Sequence, residues 1–324
     1  MSKILKSVFL TSCLLLLTSN VLAQQSSLSL SPSLTEIVIK PGYSTTQRYK
    51  LTNLGDPAIV KIRIMAMESR DSLGNINLKN KFNTPIRFEL QSQTISLDEA
   101  FFLKNSSSQE FFLKVEVPED TPQRDYYFTL IAESQPPPAQ EGAVNIRAKI
   151  SLGTNLLITV TTDGKVEIKP KISLFEVIPK NKIKLFGLEI NLFNSLDEIP
   201  VVLTVDNRGI NVIKPRGEIS LRGPLWQSKR FEIKPQNVLA KSQRQLSIES
   251  AKISPRPYPL YPRTLTLSGF FFGVYKLSAS ISFGQGTPIL YATTSFLVFP
   301  INLFILTILI FLGTIFIMKK LRRK

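Results

Sequence analysis

Apolar and polar residues alternate with a period of two in several parts of this chain, and this pattern constrains the fold more than any other feature. The longest run places apolar side chains at every second position: Tyr275, Leu277, Ala279, Ile281 and Phe283. Successive side chains of a β-strand point to opposite faces, so the run predicts a strand with one buried and one solvated face. Similar alternation at 60–64, 113–117 and 201–205 extends the prediction to an all-β fold of antiparallel sheets.

Turn sequences separate these strands, and a short repeat suggests that the arrangement occurs twice. The segments 51–55 (LTNLG) and 205–209 (VDNRG) each end a strand with Asn two residues before Gly. Many short strands with frequent turns are typical of β-sandwiches, and 324 residues suffice for two domains. We therefore predict two tandem immunoglobulin-like β-sandwich domains, 24–162 and 163–299, with a boundary at Asp163-Gly164.

The residue composition argues against catalysis. The chain contains no histidine, which excludes Ser-His-Asp and Cys-His catalytic groups and every zinc site that uses imidazole. Its single cysteine, Cys13, lies near the N-terminus in a segment that is expected to be removed. We expect no enzyme activity, no cofactor and no metal site.

Residues 1–23 have the features of a signal peptide. Lys3 and Lys6 precede an apolar stretch at 8–17, and the sequence Val-Leu-Ala ends at Ala23. An uncleaved anchor and lipid attachment at Cys13, which follows Leu-Thr-Ser, are the alternatives.

The C-terminus predicts a transmembrane helix at 300–318. Residues 301–318 carry no charge and would span ~27 Å as a helix, enough for the hydrocarbon core of a bilayer. The tail, 319–324, contains five basic residues and is predicted to be cytoplasmic by the positive-inside rule. The expected product is a single-pass membrane protein whose N-terminal ectodomain lies outside the cytoplasm. No Leu-Pro-x-Thr-Gly motif precedes the span, so covalent attachment to a cell wall is not expected.

The positive charge is concentrated in the second half of the ectodomain. Residues 24–162 contain 14 basic and 14 acidic residues, whereas 163–299 contain 19 and 10. A basic domain close to a membrane attracts anionic lipids or envelope polymers, although an ordinary solvated surface is the alternative. The extracytoplasmic location argues against nucleic acid as a partner.

Two segments supply candidate ligand or polyanion contacts. The first surrounds the only tryptophan and comprises Arg216, Arg222, Trp226, Lys229, Arg230 and Lys234. An exposed Trp226 could stack on a sugar, but a tryptophan in the sandwich core is the alternative. The second is the proline-rich segment 255–263, in which the candidates are Arg256, Tyr258, Tyr261 and Arg263. Its alternative role is a stiff connection between strands.

Short motifs follow the same order as the predicted domains: Leu30-Ser31-Pro32, Ile39-Lys40-Pro41-Gly42, Lys50-Leu51-Thr52-Asn53, Val115-Glu116-Val117-Pro118, Val205-Asp206-Asn207-Arg208-Gly209 and Phe272-Gly273-Val274-Tyr275. In these motifs and their order the chain resembles the WxL-interacting surface proteins of Gram-positive bacteria. The resemblance implies an immunoglobulin-like peptidoglycan-binding domain, a second immunoglobulin-like domain described as host-binding, a transmembrane helix and a basic tail. It assigns no contact residue.

These observations favour a non-catalytic, membrane-anchored surface protein for adhesion, cell-wall polymer attachment or surface-complex assembly. Its partner would be an envelope polymer, another surface protein or the anionic membrane surface. The alternative is a membrane-tethered chaperone or secretion accessory that uses an exposed sheet edge to exchange a strand with a client. Charged, protected edges would favour the adhesin, and an unpaired edge beside an apolar groove would favour the chaperone.

Overall fold

The computed structural model describes residues 27–80, 83–92, 94–135, 149–179, 181–185, 187–224, 227–248, 265–284 and 287–321. The predicted signal peptide and residues 322–324 of the predicted basic tail lie outside these residues. The described chain consists of strands and one C-terminal apolar helix, which confirms the all-β prediction.

The chain divides into two compact units. The first contains residues up to 66, 80–121 and 128–157, and the second contains 67–79, 122–127 and the residues from 158 onwards.

Ten strands precede residue 161: β1 (Leu28–Ser31), β2 (Leu34–Ile39), β3 (Ser44–Asn53), β4 (Ala58–Ser69), β5 (Ile76–Lys79), β6 (Arg87–Gln91), β7 (Ala100–Leu103), β8 (Ser107–Glu116), β9 (Asp125–Gln135) and β10 (Ser151–Val160). One sheet has the order β1-β3-β8-β6, and the other has the order β2-β10-β9-β4-β5, with β7 also paired to β4. The two sheets face each other, because Phe88 on β6 packs edge-to-face on Phe128 of β9 with ring centroids 4.7 Å apart.

Ten strands and the helix follow: β11 (Pro170–Val177), β12 (Asn181–Leu185), β13 (Leu188–Asn194), β14 (Ile199–Asn207), β15 (Arg216–Arg222), β16 (Ser228–Ile233), β17 (Ser242–Gln245), β18 (Leu265–Leu267), β19 (Gly273–Ser282), β20 (Leu290–Phe299) and α1 (Ile301–Leu321). One sheet has the order β11-β14-β17, with β18 also paired to β14, and the other has the order β12-β13-β20-β19-β15-β16.

The core of the second unit lies between its two sheets and contains the residues that the alternation predicted. All five apolar residues of the 275–283 run are at most 6% exposed, and Val201, Leu203 and Val205 oppose them from β14. The Tyr275 ring stacks on Phe296 with centroids 5.4 Å apart. Burial of each large apolar side chain contributes about 1.5–3 kcal/mol, so this face stabilises the sandwich.

The repeated Asn-x-Gly sequence corresponds to a repeated structure. Asn53 ends β3, is buried, and donates from Nδ2 to the carbonyls of Asp56 at 2.8 Å and Lys104 at 3.2 Å. Asn207 ends β14, is fully buried, and donates to the carbonyls of Asn211 at 2.8 Å and Val238 at 3.1 Å. In both cases the Oδ1 accepts from the amide of the Gly two residues later at 3.0 Å. Each asparagine therefore ties the end of one strand to a distant loop.

The pairing of β13 with β20 differs from the antiparallel prediction. β13 runs parallel to β20, with Leu192 opposite Leu297 and Asn194 opposite Phe299. Alternation reports which face of a strand is buried, and it carries no information on the direction of the neighbouring strand.

The helix α1 is the one element among the described residues that is long and apolar enough to cross a membrane. The qualifying segment, Ile301–Lys319, has a mean hydropathy of 2.6, and none of its side chains is buried against the protein. It agrees with the predicted span at 300–318.

Candidate functional site

In the second unit, the edge strand β16 of one sheet lies beside the edge strand β18 of the other. Each of these strands has one edge with no strand partner among the described residues, and we call the gap between them the seam. β16 pairs with β15 from Arg222–Ser228 to Gly217–Ile233, and β18 pairs with β14 through three residues. The two sheets approach at one end of the seam, where Ile233 bridges to Ile248. From Ser228 to Glu232, no described strand pairs with the second edge of β16.

Two adjoining recesses of about 130 and 260 Å³ occupy this seam, which we call the seam groove. Its floor is apolar, because Leu221, Leu265, Leu267 and Phe271 are at most 5% exposed and Phe231 is partly buried against the same core. The rim is mostly polar and is formed by Gln227, Ser228, Lys229 and Ser268, together with the exposed ring of Phe270. Small-molecule sites usually occupy ~300–1,000 Å³, so the recesses fit individual side chains better than a whole ligand.

A buried hydroxyl lies in the wall of the seam groove without a hydrogen-bond partner in the described part of the chain. Thr266, the middle residue of β18, is 9% exposed, and its Oγ1 is one of few such atoms. A buried polar group that makes no hydrogen bond costs roughly 1–3 kcal/mol. A bound molecule that supplied a donor or an acceptor here would recover that cost.

The basic residues predicted around Trp226 are all exposed but do not form one cluster. Arg222 and Arg230 lie on the outer face of the sheet, where Arg230 forms an ion pair with Glu218 at 4.0 Å. Lys229 is opposite Leu221 and lines the rim of the seam groove. Arg216 lies at the opposite end of β15, and Lys234 follows β16. The strand alternation separates residues that are adjacent in sequence.

The remaining candidates, Trp226, Arg256, Tyr258, Tyr261 and Arg263, lie outside the described residues. They stay predictions.

Apart from Lys229, the sequence interpretation missed the residues that form the seam groove, and it missed one cation of the outer face. β18 has three residues and follows the proline-rich segment, so it is too short to show alternation. Lys276 was interpreted only as a polar position of an alternating strand, yet it lies opposite Arg222. That Lys276 and Arg222 are neighbours could have been found only from the register of β15 and β19.

The first unit has an outer strand of a different kind. β6 ends its sheet and pairs with β8, where Arg87 faces Glu116 at 3.7 Å and Glu89 faces Lys114 at 3.9 Å. Exposed ion pairs contribute only ~0–1 kcal/mol each, but charged side chains discourage further strands from pairing with an edge. The β6 edge therefore meets the criterion for a protected edge. β16 also carries exposed charges, at Lys229, Arg230 and Glu232, and it differs from β6 in the apolar recess that lies beside it.

No protein-family model matches this chain, and no curated protein matches it. Among solved structures it is similar to the class 5 fimbriae chaperone CfaA, at 9% identity over 84% of this chain and 99% of that one, with a TM-score of 0.39. It is also similar to the E. coli chaperone DraB, at 15% identity over 83% and 97%, with a TM-score of 0.38. The SafB chaperone, solved with the Salmonella enterica SafA pilin, matches at 13% identity over 84% and 98%, with a TM-score of 0.37. At these TM-scores the likenesses carry no inference about function.

Proposed function

We propose that this chain is a membrane-anchored, non-catalytic binding protein that holds an extended apolar segment of a partner protein in the seam groove. This is the chaperone or secretion-accessory alternative of the sequence analysis, in the form in which the sheet edge receives a strand. The observation that carries it is a stretch of β16 with no strand partner among the described residues, beside an apolar recess whose wall holds a hydroxyl that these residues leave without a hydrogen bond.

An extended peptide matches each part of the seam groove. Its backbone can pair with the edge of β16 that has no strand partner in the described ranges, as in recognition by strand addition. Its alternate side chains project to one side, so an apolar pair of them can enter recesses of 130 and 260 Å³. The Thr266 hydroxyl, which can both donate and accept, lines the smaller recess and is the hydrogen-bonding group that we propose a bound peptide satisfies.

The anchor in this proposal is α1. An apolar helix of 21 residues is ~32 Å long, which matches the hydrocarbon core of a bilayer. We propose that the basic residues after Met318 lie in the cytoplasm and that both units lie outside it, since cytoplasmic flanks are enriched in Lys and Arg. Protease added to intact cells should then remove the two units and spare the tail.

A peptide selection tests the binding proposal directly. The full chain, reconstituted in lipid nanodiscs, is challenged with a displayed library of random 12-residue peptides. We expect enriched peptides with apolar residues at alternate positions. Their affinity should fall at least tenfold in Ser268→Trp, since Ser268 is an exposed rim residue and an indole at this position fills the recess.

The matched control is Thr293→Trp, which adds the same side chain to the outer face of β20. This variant should bind the selected peptides as the parent chain does. The proposal fails if no alternating peptides are enriched, or if Ser268→Trp and Thr293→Trp affect binding equally.

A second candidate is attachment to an anionic envelope polymer, the role favoured by the charge distribution and by the resemblance to WxL-interacting proteins. The exposure of Arg216, Arg222 and Arg230 supports it, because exposed guanidinium groups can contact a polyanion. Reversal of these three residues to Glu should abolish binding to a teichoic-acid-like polymer. The control reverses three exposed basic residues of the first unit, Lys40, Lys50 and Lys104. Equal loss in both variants would contradict this candidate.

A further inference from the structure

The second unit exposes a cluster of large apolar side chains at the end from which α1 emerges. Its members are Leu196 at 76% exposure, Phe272 at 53%, Val274 at 64% and Phe299 at 38%. We call this cluster the apolar collar. Single exposed apolar residues are common, but a contiguous set marks a binding surface.

Strand pairing and loop contacts hold the collar together. Val274 lies opposite Leu297, and the rings of Phe272 and Phe299 are 6.5 Å apart. The loop that carries Leu196 joins them, because the amide of Phe271 donates to the carbonyl of Ser195 at 3.0 Å. The outward direction is fixed by the core, since Phe271 and Tyr275 point inward and their rings meet edge-to-face at 5.3 Å.

The collar is continuous with the apolar surface of the helix. Phe299 ends β20, and Ile301 begins α1 after the single intervening residue Pro300. The Phe299 ring packs edge-to-face on Phe304 with centroids 5.7 Å apart, and the Phe304 amide donates to the Pro300 carbonyl at 2.9 Å. If α1 enters a bilayer at Ile301, the collar lies at the level of entry.

Two cationic side chains, Lys276 and Arg222, lie next to the collar on the outer face of the same sheet. Lys276 follows Val274 by two residues, which is ~7 Å along the strand, and it lies directly opposite Arg222. Like charges in opposed positions repel, and neither residue forms an ion pair with another described residue. An anion bound between them would remove this repulsion.

We propose that the apolar collar is inserted at the boundary between lipid headgroups and acyl chains, with Lys276 and Arg222 at the level of the lipid phosphates. This inference rests on the membrane anchor of the proposed function and adds a second membrane contact, made by the folded unit itself. In this arrangement the apolar residues lie next to the helix, and the two cations lie further from it. A bilayer has the same order, with acyl chains inside and charged headgroups at the surface. Anchoring of this kind fixes the orientation of the second unit on the membrane.

A fluorescence measurement tests the insertion. In a Cys13→Ser background, single cysteines replace Phe272, Tyr291 or Phe311 and carry the fluorophore NBD. Each full-length chain is reconstituted in vesicles of phosphatidylcholine and phosphatidylglycerol. Tyr291 is the matched control, since it is 72% exposed on the outer face of the same sheet but lies at the start of β20. Phe311 lies within α1 and reports the anchor.

The label at position 272 should show blue-shifted emission, quenching by a shallow doxyl lipid, and protection from aqueous iodide. The label at 291 should show the opposite behaviour. Equal iodide quenching at 272 and 291 would overturn the inference, as would protection of 272 from both quenchers, which indicates burial against protein. If the label at 311 escapes deep doxyl lipids, the anchor itself fails. Quenching at 311 without quenching at 272 rejects only the collar.

Discussion

The two units share an architectural device and differ in how their sheets end. Asn53 and Asn207 make the same set of hydrogen bonds in equivalent positions. The first unit has balanced charge in its sequence and covers the β6 edge with ion pairs, whereas the second carries the whole charge excess of the ectodomain and the seam groove. We infer that the common parts specify the sandwich, and that binding resides where the second unit departs from the first.

The largest expected effect tests the buried asparagine that the two units have in common. Asn53→Ala and Asn207→Ala should each lower the free energy of unfolding by about 3 kcal/mol, because several buried backbone groups lose their partners at ~1 kcal/mol or more each. The measurement is amide hydrogen exchange within each unit. Asn77→Ala, at an exposed position, is the control and should change stability by less than ~0.5 kcal/mol. A large effect in one unit alone would show that the two asparagines are not equivalent.

The next effect tests the difference in charge. Binding of the chain to a soluble anionic polymer should weaken strongly between 0.01 and 0.15 M salt, because the Debye length falls from ~30 to ~8 Å. The triple reversal at Arg216, Arg222 and Arg230 should remove this salt dependence, and the matched reversal in the first unit should retain it. If binding stays salt-dependent in both reversal variants, the polymer binds at neither set of basic residues.

A smaller effect compares two buried hydroxyls that lack partners among the described residues. Thr266 lines the seam groove and Thr121 belongs to the first unit. Replacement of either by Val should leave stability unchanged or raise it slightly, since an unsatisfied polar group is removed. Only Thr266→Val should weaken the binding of selected peptides, by about tenfold for one lost hydrogen bond of ~1.4 kcal/mol. An equal loss of peptide affinity in Thr121→Val would show that the Thr266 hydroxyl makes no specific hydrogen bond to the peptide.

How much of this could be predicted from the sequence depends on whether a feature is local. The alternation at 275–283 predicted a strand and its buried face correctly, because the pattern repeats within one segment. The Asn-x-Gly repeat identified two equivalent strand ends. The seam groove could not be predicted, because Phe231 and Leu267 meet only through the pairing of separate sheets. The Lys276 and Arg222 pair likewise depends on the register of two strands that are distant in sequence.

The smallest expected effect is on the pH dependence of stability. Four exposed carboxyl groups, Glu68, Asp71, Asp163 and Glu167, have lowered pKa values, and all belong to the second unit. For Asp71 the main cause is the hydrogen bond from the Asn75 side chain at 2.7 Å. A lowered pKa adds stability that is present above the ordinary value of 3.8 and is lost as the pH falls below it.

Asp71→Asn should therefore make the loss of stability between pH 5 and pH 3 slightly shallower, as measured by thermal melting. The matched variant is Asn75→Ala, which removes the main cause of the lowered Asp71 pKa and should make the slope shallower in the same way. Identical slopes for Asp71→Asn and the parent chain would contradict this assignment.

The central claim, that the second unit and not the first receives a strand, is tested most directly by hydrogen exchange of the full chain with and without a selected peptide. Pairing with a bound peptide should slow exchange of the amides at 228–232 and 265–267, on the two sides of the seam groove. Exchange at 87–91, in β6 of the first unit, should not change. Protection of β6, or an unchanged β16, would contradict the account.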